Sequence, residues 1–557
     1  ERYESVLADR PNQEAARVGL AIVRLADGAT DAVVHDLQEL SRRYPENRQL
    51  LAALMRIMLE RNNTEQLREY VDLAVTYHGD SASMQLLAAE YAFQSEEYDR
   101  ATFHAQNAVT LAPSLLDAWQ ILAQTALQRG NPQAAREHYD ELLRIDPENH
   151  GAWYARGELQ ARDNRIDDSE RSWEHALEIR PDFELARIAL ENTAINELPM
   201  ESELRARLAE DYRRSGSNLR DRFLHRQAEH HFRRGLQLNP FDPVLRAALA
   251  DLYLQRGWEA RYLAELQVIQ ERNLTSDTEG ALSPQELQDR LEIYRARLRT
   301  SPAVVWDVDQ FTVSRPRTSV FLVSRTTGPG TLVGADRHIG TYTASLLQGS
   351  QRLTVVDTIV AGAPASALVR QAREAEADLL AVLDIALHDR SASVRLQLID
   401  TDSTRVRSDR TFRWSGNGRL DSITRAITEE IANQVAPRGR VVRRRFEDVL
   451  ISLGRIDGIS PEDVIRFIAA PGSESLGTGT VTEVDDLVSV VRYEPDRSDN
   501  LTVGDHALVV PDEEPGDTDE PEANQDTEET EADDRVSAEN EQTSRLREIV
   551  QQLFQVR

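Results

Sequence analysis

The sequence predicts a multidomain protein of class α + α/β + β, and three observations indicate this. Turn residues recur at a fixed interval early in the chain, strand-length apolar runs then alternate with helical stretches, and short strands with glycine-rich turns follow. We therefore expect a helical solenoid, a mixed α/β domain, a small β-barrel, a disordered acidic linker and an amphipathic helix, at residues 1–300, 301–437, 438–511, 512–543 and 544–557.

The first region has a period of 34 residues, which separates six turn residues: Pro11, Pro45, Gly79, Pro113, Pro147 and Pro181. A fixed period of this length is typical of stacked helical hairpins. Proline ends a helix because it has no amide to donate and pushes the preceding residue out of the helical region. Neither helix of a pair can bury its apolar stripe alone, so neighbouring hairpins must stack.

When the 34-residue units are aligned, each set of equivalent positions forms a column. Three columns hold small or medium-sized residues, and a fourth holds Trp119 and Trp153. The three columns contain Ala21, Met55, Ala89, Ala123 and Gly157; Val33, Leu67, Ala101, Ala135 and Ser169; and Leu40, Ala74, Ala108, Leu142 and Ala176. This pattern resembles the tetratricopeptide repeat. The resemblance implies a superhelix whose inner surface is formed by the first helix of each unit.

The repeat frame has irregularities at both ends. The first ten residues fit the second helix of a repeat and the chain begins with Glu1, so we expect an upstream signal peptide, lipid-anchored start or further repeats outside this sequence. The next clear turn after Pro181 comes 59 residues later, at Pro240, which implies an insertion of about 25 residues. A capping box of Ser283 and Glu286 predicts a last helix that ends near residue 300.

Composition limits the class of partner. The chain has no cysteine, and its 65 basic residues, all arginine, face 95 acids, for a formal net charge of -30. This charge repels phosphates and argues against nucleic acid as a partner. No stretch approaches the roughly 18 apolar residues of a membrane span. Residues 512–534 hold 13 acids and no base, which predicts disorder.

After residue 301 the pattern alternates between strands and helices. The alternation runs through residues 320–323, 338–347, 353–356, 365–377 and 379–387, and a hairpin at 394–399 and 406–414 and a helix at 420–435 follow. This order implies parallel crossovers and then an antiparallel pair. Together with the phrases RLTVVD and EAEADLLAVLDI, it resembles the envelope domain shared by the amino-terminal part of TolB, the CsgG-type secretion lipoproteins and the middle of flagellar assembly protein T.

Residues 439–510 are predicted to form only strands and turns, which suits a small closed barrel. The phrases VLISLGRIDGISPEDVIRF, LGTGTVTEV and LTVGDHALVV resemble the carboxy-terminal barrel of flagellar assembly protein T, where a Gly-Asp turn, here Gly504 and Asp505, precedes the last strand. The repeats depart from that protein, so its ring-building role is not implied. The resemblance does imply a periplasmic or cell-envelope location in a bacterium.

Sequence signatures of catalysis are weak. There is no P-loop and no serine elbow, and Gly328, Gly330 and Gly334 have the wrong spacing for a dinucleotide-binding loop. His230 and His231 lie on a repeat helix, where surface histidines are a simpler interpretation than metal ligands. We therefore expect no enzymatic activity, no cofactor and no metal site.

Two features indicate contacts with proteins. By resemblance, the inner surface of the solenoid includes Arg56, Glu90, Phe93, Gln120, Gln124, Tyr154, Glu158 and Arg162. Exposed aromatic side chains among hydrogen-bonding groups suit an extended peptide or a partner helix, although the same residues could be a solvated face.

The second feature is an apolar stripe at the end of the chain. A helix of about 14 residues is too short to be stable alone, so it must dock, either on its own chain or on a partner. The acidic segment before it would act as a tether. The stripe consists of Leu546, Ile549, Val550, Leu553 and Phe554.

The function that fits these features is a non-enzymatic scaffold of a bacterial envelope assembly, flagellum-associated and collar-like or secretion-associated. Its partners would be proteins, bound by the solenoid and the terminal helix, in an assembly that is membrane-associated or oligomeric. The alternative is a regulatory module in which the α/β domain senses a small ligand and the terminal helix moves. A cleft with convergent polar groups would favour that alternative.

Overall fold

The computed structural model describes residues 2–26, 31–60, 63–326, 332–350, 352–360, 365–387, 391–416, 418–470, 473–496 and 500–510. They belong to two compact units that divide between Ile179 and Arg180. We call residues 2–179 the first unit and residues 180–510 the second unit. Outside the described residues lie Gly328, Gly330, the predicted linker 512–543 and the tail helix 544–557 with Leu546, Ile549, Val550, Leu553 and Phe554.

The described part of the first unit is helical, with five of the six predicted turn residues between its helices. This arrangement confirms the repeat period. The helices are α1 (Arg2–Asp9), α2 (Glu14–Ala26), α3 (Asp31–Arg43), α4 (Arg48–Glu60), α5 (Thr64–His78), α6 (Ala82–Gln94), α7 (Tyr98–Leu111), α8 (Leu116–Gln128), α9 (Pro132–Ile145), α10 (His150–Arg162) and α11 (Ile166–Ile179).

The small columns of the repeat are places of close packing. Ala89 and Ala123 are fully buried, and a Cβ on Gly157 would lie 2.5 Å from the indole nitrogen of Trp173. The two predicted tryptophans have a different role, which repeats with the period. Each indole N–H donates to the carbonyl of the preceding turn proline at 2.8 Å, which ties the start of a helix to its turn.

The second unit begins with further helices. Three of them lie between Pro181 and Pro240, one more than the pair that a single repeat contains, which agrees with the predicted insertion. They are α12 (Glu184–Glu197), α13 (Glu203–Asp221), α14 (His225–Leu238), α15 (Pro243–Gln255), α16 (Glu259–Glu271), α17 (Pro284–Arg297) and α18 (Pro302–Val305). Helix α13 packs along α14. The capping box at α17 is confirmed, since Ser283 and Glu286 each accept the other's backbone amide with the side chain.

A five-stranded sheet follows, in the order β2-β1-β3-β4-β5, with β1 parallel to both neighbours and the other pairs antiparallel. Its elements are β1 (Thr318–Thr326), α19 (Ala335–Gln348), β2 (Leu353–Val360), α20 (Ala365–Glu374), β3 (Leu379–Leu387), β4 (Ser391–Asp400), β5 (Val406–Ser415) and α21 (Arg419–Asn433). The strands and helices predicted for this region are therefore present.

Helices cover both faces of this sheet. Leu368 of α20 packs against Phe321 and Val323 on one face. Helix α19 lies on the other face, where a Cβ on Gly340 would meet the Ser324 side chain, and α19 contacts α21. Because α19 also contacts α12, it joins the sheet to the helices that precede it.

The last described part is a closed six-stranded barrel in the order β10-β7-β6-β11-β8-β9, which confirms the predicted barrel. Its strands are β6 (Arg438–Arg445), β7 (Asp448–Ile451), β8 (Val464–Ile468), β9 (Ser475–Val484), β10 (Ser489–Pro495) and β11 (His506–Val509). The turn before β11 has Gly504 at φ 102°, a conformation that favours glycine, and the Asp505 carboxylate accepts the Thr502 amide at 2.7 Å.

Candidate functional site

The predicted groove residues lie on α4, α6, α8 and α10, the first helices of successive repeats. Helix α6 contacts both α4 and α8, so residues of the three helices can share one surface. The guanidinium of Arg56 on α4 lies 3.6 Å from the carboxylate of Glu90 on α6. Burial raises the pKa of Glu90, and Arg56 opposes that shift. This pair links two repeats.

Phe93 and Gln120 are also only partly buried. The ring of Phe93 meets Tyr98 edge to face, with centroids 5.9 Å apart, and its inner side packs on the core between α6 and α8. We call Arg56, Glu90, Phe93 and Gln120 the groove face. It offers an aromatic surface beside a charged pair and an amide.

Helix α10 differs from the prediction. Tyr154 and Glu158 are 0% exposed and Gln124 on α8 is 8% exposed, so the expectation that Tyr154 is an exposed aromatic is wrong. The reason is that α10 has buried residues around most of its circumference, and the indole of Trp173 on α11 donates to the Tyr154 carbonyl at 3.2 Å. Arg162, at the end of α10, is exposed.

The second unit contains a buried group of polar side chains, which we call the central polar cluster: Arg187, Glu191, Tyr212, Arg234, Tyr342 and Asp421. The fully buried Glu191 carboxylate accepts from Arg187 at 2.5 Å, from the Tyr212 hydroxyl at 2.8 Å and from Arg234 at 3.3 Å. Because the first four belong to helices α12 to α14 and the last two to α19 and α21, the cluster joins the helices to the sheet.

Burial and the charges of the cluster shift the pKa values of His230, which lies beside the cluster, and of its member Asp421. Burial lowers the pKa of His230 to about 4, against an opposing effect of Asp421. Burial alone would raise the pKa of Asp421, but His230 and a 2.5 Å hydrogen bond from Tyr342 help to hold it at about 2. His230 and His231 are therefore not the ordinary surface histidines that the sequence suggested.

Two carboxylates cap helices that are distant in sequence. Glu184 of α12 accepts the amides of Leu420 and Asp421, at 3.1 and 3.2 Å, at the start of α21. Asp486 of the barrel accepts the amides at the start of α16, and burial raises its pKa against those hydrogen bonds. Such carboxylates satisfy free amides and interact favourably with the helix dipole.

An open cleft of about 770 Å³ lies in the second unit, and we call it the arginine cleft. Helices α14, α15, α16, α19 and α21 line it. Its charged lining residues are Arg226, Arg233, Arg234, Arg246, Arg261, Glu229, Glu265 and Glu429.

The most densely paired group of the arginine cleft is the Glu229 carboxylate. It lies 2.5 Å from Arg256, 2.7 Å from Arg233 and 3.6 Å from Arg261. This site was not predicted from the sequence, although the adjacent arginines Arg233 and Arg234 are a signal in so acidic a chain. The helix face that they occupy becomes part of a cleft only when α19 and α21 pack nearby.

Two further observations concern the part of the chain that the structure describes. Within it, no group of three or more acidic, histidine or cysteine side chains is arranged to hold a metal ion. No helix there has the length and apolar character needed to cross a membrane.

Comparison with protein families identifies two matches. Residues 116–159 match the tetratricopeptide repeat family, and residues 18–136 match the family of ChAPs, the Chs5p-Arf1p-binding proteins. No curated protein sequence matches the chain.

Several solved structures are similar to parts of the chain. MamA is 20% identical, over 27% of this chain and 88% of its own, with a TM-score of 0.26. YrrB, described as a TPR protein with an unusual peptide-binding site, is 12% identical, over 37% and 92%, with a TM-score of 0.25. A thermophilic TPR protein of Thermus thermophilus, TTC0263, is 16% identical, over 32% and 96%, with a TM-score of 0.27.

The family match at residues 116–159 agrees with the 34-residue period and with the helix pairs that the structure places between the turns. The helical part of the chain thus contains tetratricopeptide repeats, which suggest a protein-protein interaction scaffold.

Proposed function

We propose that the protein is a non-enzymatic scaffold of a bacterial envelope assembly and that the groove face of the first unit binds a protein partner. The observation that supports this most directly is the partly exposed set of Arg56, Glu90, Phe93 and Gln120 on adjacent first helices. An aromatic surface beside hydrogen-bonding groups suits an extended peptide or a partner helix, with the aromatic ring as the anchor.

The envelope location, and within it a flagellum-associated, collar-like or secretion-associated role, is supported by the sequence phrases of the sheet and barrel regions. The order of a five-stranded sheet followed by a closed barrel agrees with the same resemblance. The predicted terminal helix would add a second contact, in cis or in trans.

The test is affinity purification from a native cell-envelope fraction, with the full chain, Phe93→Ala and the control Phe103→Ala. Phe103 is 60% exposed on α7, outside the groove face. We expect a specific set of envelope proteins that Phe103→Ala retains and Phe93→Ala loses. If Phe93→Ala keeps the same partners and the same melting temperature, the groove face is not the contact.

A chain that ends at Ala523 tests the tail in the same experiment. We expect it to lose some partners while keeping those bound through Phe93. If it keeps every partner that the full chain captures, the terminal helix is not a partner contact.

The arginine cleft favours a second candidate function, the sensing of a small ligand by the second unit. Its volume of about 770 Å³ is within the range of small-molecule sites, about 300 to 1,000 Å³. Polar side chains from helices that precede the sheet and from helices of the sheet region converge on it. Ligand binding there would alter the packing between these parts of the unit.

A further inference from the structure

We propose that the arginine cleft binds a small organic polyanion with at least two negative charges, either a polycarboxylate or a phosphate ester. The inference rests on the second candidate function and is independent of protein binding by the first unit. It follows from the charge balance, the hydrogen bonding and the dimensions of the cleft.

The charge balance of the arginine cleft is opposite to that of the chain. Its lining residues include five arginines and three glutamates, an excess of two positive charges, in a protein of net charge -30. In so acidic a chain a random surface would carry an excess of negative charge. A cleft with low-dielectric walls and charge of one sign concentrates ligands of the opposite sign.

The pairing around Glu229 leaves part of this charge uncompensated. Its single carboxylate lies within 3.6 Å of three guanidiniums, of which Arg233 and Arg261 belong to the lining and Arg256 does not. The side chains of Arg256 and Arg261 are only 20% and 9% exposed. Removing guanidinium groups from water is costly unless anions balance them. One carboxylate cannot neutralise three guanidiniums, so a ligand anion beside them would be favourable.

Arg234 is a second buried guanidinium of the lining. It shares the Glu191 carboxylate, at 3.3 Å, with Arg187, which lies closer, at 2.5 Å, and it donates to Asn192 and Gln237 at 3.1 and 3.0 Å. Arg234 also donates to the hydroxyl of Ser345 at 2.9 Å, which fixes the guanidinium at the wall of the arginine cleft. The cleft therefore has a rigid positive wall as well as an excess of charge.

Two other arginines belong to the lining of the arginine cleft. The terminal nitrogens of Arg246 donate to Glu265 at 2.9 Å and to the Pro240 carbonyl at 3.3 Å, which holds its guanidinium in place at the wall. Arg226 is exposed at the rim. Planar guanidinium groups bind carboxylate and phosphate oxygens in pairs, so these side chains suit such groups.

The remaining walls indicate an organic ligand. Leu249, Tyr253 and Phe311 line the arginine cleft together with the charged residues, and Ser345 and Ser350 add hydroxyls. An inorganic anion alone would leave this apolar surface unused. A molecule with a short carbon skeleton and two or more anionic groups would use both kinds of wall.

The experiment measures binding to the full chain by isothermal titration calorimetry at constant ionic strength, with citrate and glycerol 3-phosphate as probes and glycerol as the uncharged control. We expect at least one anion to bind with one site and glycerol not to bind. Citrate alone identifies a polycarboxylate, glycerol 3-phosphate alone identifies a phosphate ester, and both together support the shared anion chemistry. Binding of neither anion overturns the proposal.

Variants locate the site. We expect Arg226→Gln and Arg246→Gln each to weaken binding by about tenfold or more. The control Arg222→Gln makes the same charge change at an exposed position outside the cleft lining. Equal weakening by Arg222→Gln, or full affinity in both cleft variants, overturns the proposal, and unchanged melting temperatures exclude unfolding as the cause.

A matched partner experiment separates this inference from the proposed scaffold function. Phe93→Ala should bind the anion with full affinity, because Phe93 lies in the first unit. Arg226→Gln should capture the same envelope proteins as the unaltered chain. Loss of anion binding in Phe93→Ala overturns the assignment of the site to the second unit.

Discussion

The carboxylate of Asp486 accepts the backbone amide of Ala260, with the two atoms 2.9 Å apart. Asp486 lies in the loop between β9 and β10 of the barrel, and Ala260 is in the first turn of α16, so a residue more than two hundred positions away caps this helix. The same oxygen accepts the amide of Arg261 at 3.1 Å. The N-terminus of α16 thus depends on the folded barrel.

The first prediction follows from this cap. Asp486→Ala should lower the free energy of unfolding of the second unit by about 1 to 2 kcal/mol, because two amides lose their acceptor. Chemical denaturation measures the change. Asp277→Ala in the loop after α16 serves as the control and should have little effect. Equal stability of Asp486→Ala and the unaltered chain would show that the cap contributes nothing.

A second prediction concerns the close packing in the first unit. Gly157→Ala places a Cβ within 2.5 Å of the Trp173 indole, which is fully buried and cannot move away freely. We expect a loss of about 1 to 3 kcal/mol in stability. Thermal denaturation measures it, with exposed Gln128→Ala on α8 as the control. A melting temperature equal to that of the control would mean that α10 and α11 can separate at little cost.

The repeated hydrogen bond of the tryptophan column gives a third prediction. Trp153→Phe keeps an aromatic ring but removes the donor to the Pro147 carbonyl. We expect the first unit to lose about 0.5 to 1.5 kcal/mol. Trp119→Phe should cost a similar amount, because its bond to Pro113 has the same length. No loss in either variant would mean that water replaces the indole.

A fourth prediction is a dependence of stability on pH. Burial holds the pKa of His230 at about 4, below the value of about 6.5 expected in the unfolded chain. Between these values the unfolded state binds a proton that the folded state does not. The contribution of His230 is therefore fully present above pH 6.5 and is lost as the pH falls to about 4, by up to about 3 kcal/mol.

Denaturation of the second unit from pH 7 to 4 measures this effect. His230→Gln should flatten the decline, whereas His78→Gln in the first unit should leave it unchanged. Below pH 4 a further loss is expected as Asp421, with its pKa near 2, becomes protonated. A parallel decline in His230→Gln and the unaltered chain would assign the pH dependence to other groups.

Local signals made much of the fold predictable. A turn proline acts on its own helix end, so the repeat period could be read from single positions such as Pro113 and Pro147. The capping box at Ser283 and the turn at Gly504 depend on residues only a few positions apart, and both are present in the structure.

The site was less predictable because it depends on packing between distant segments. Tyr154 has the spacing of an exposed groove residue, but its burial is decided by what surrounds α10. Arg234 meets Ser345 and Glu191 only when α12, α14 and α19 come together. The residue pattern of a single helix does not predict that these three helices pack together.

The caps that Glu184 places on α21 and Asp486 places on α16 determine where the chain can be truncated without loss of these hydrogen bonds. A fragment that ends at residue 300 would retain Glu184 without α21 and would leave the amides of Ala260 and Arg261 without Asp486. A fragment that ends at Ile179 severs none of these bonds. We therefore expect the repeats of the first unit to fold as an isolated fragment. The helices of the second unit should need the sheet and the barrel in order to fold.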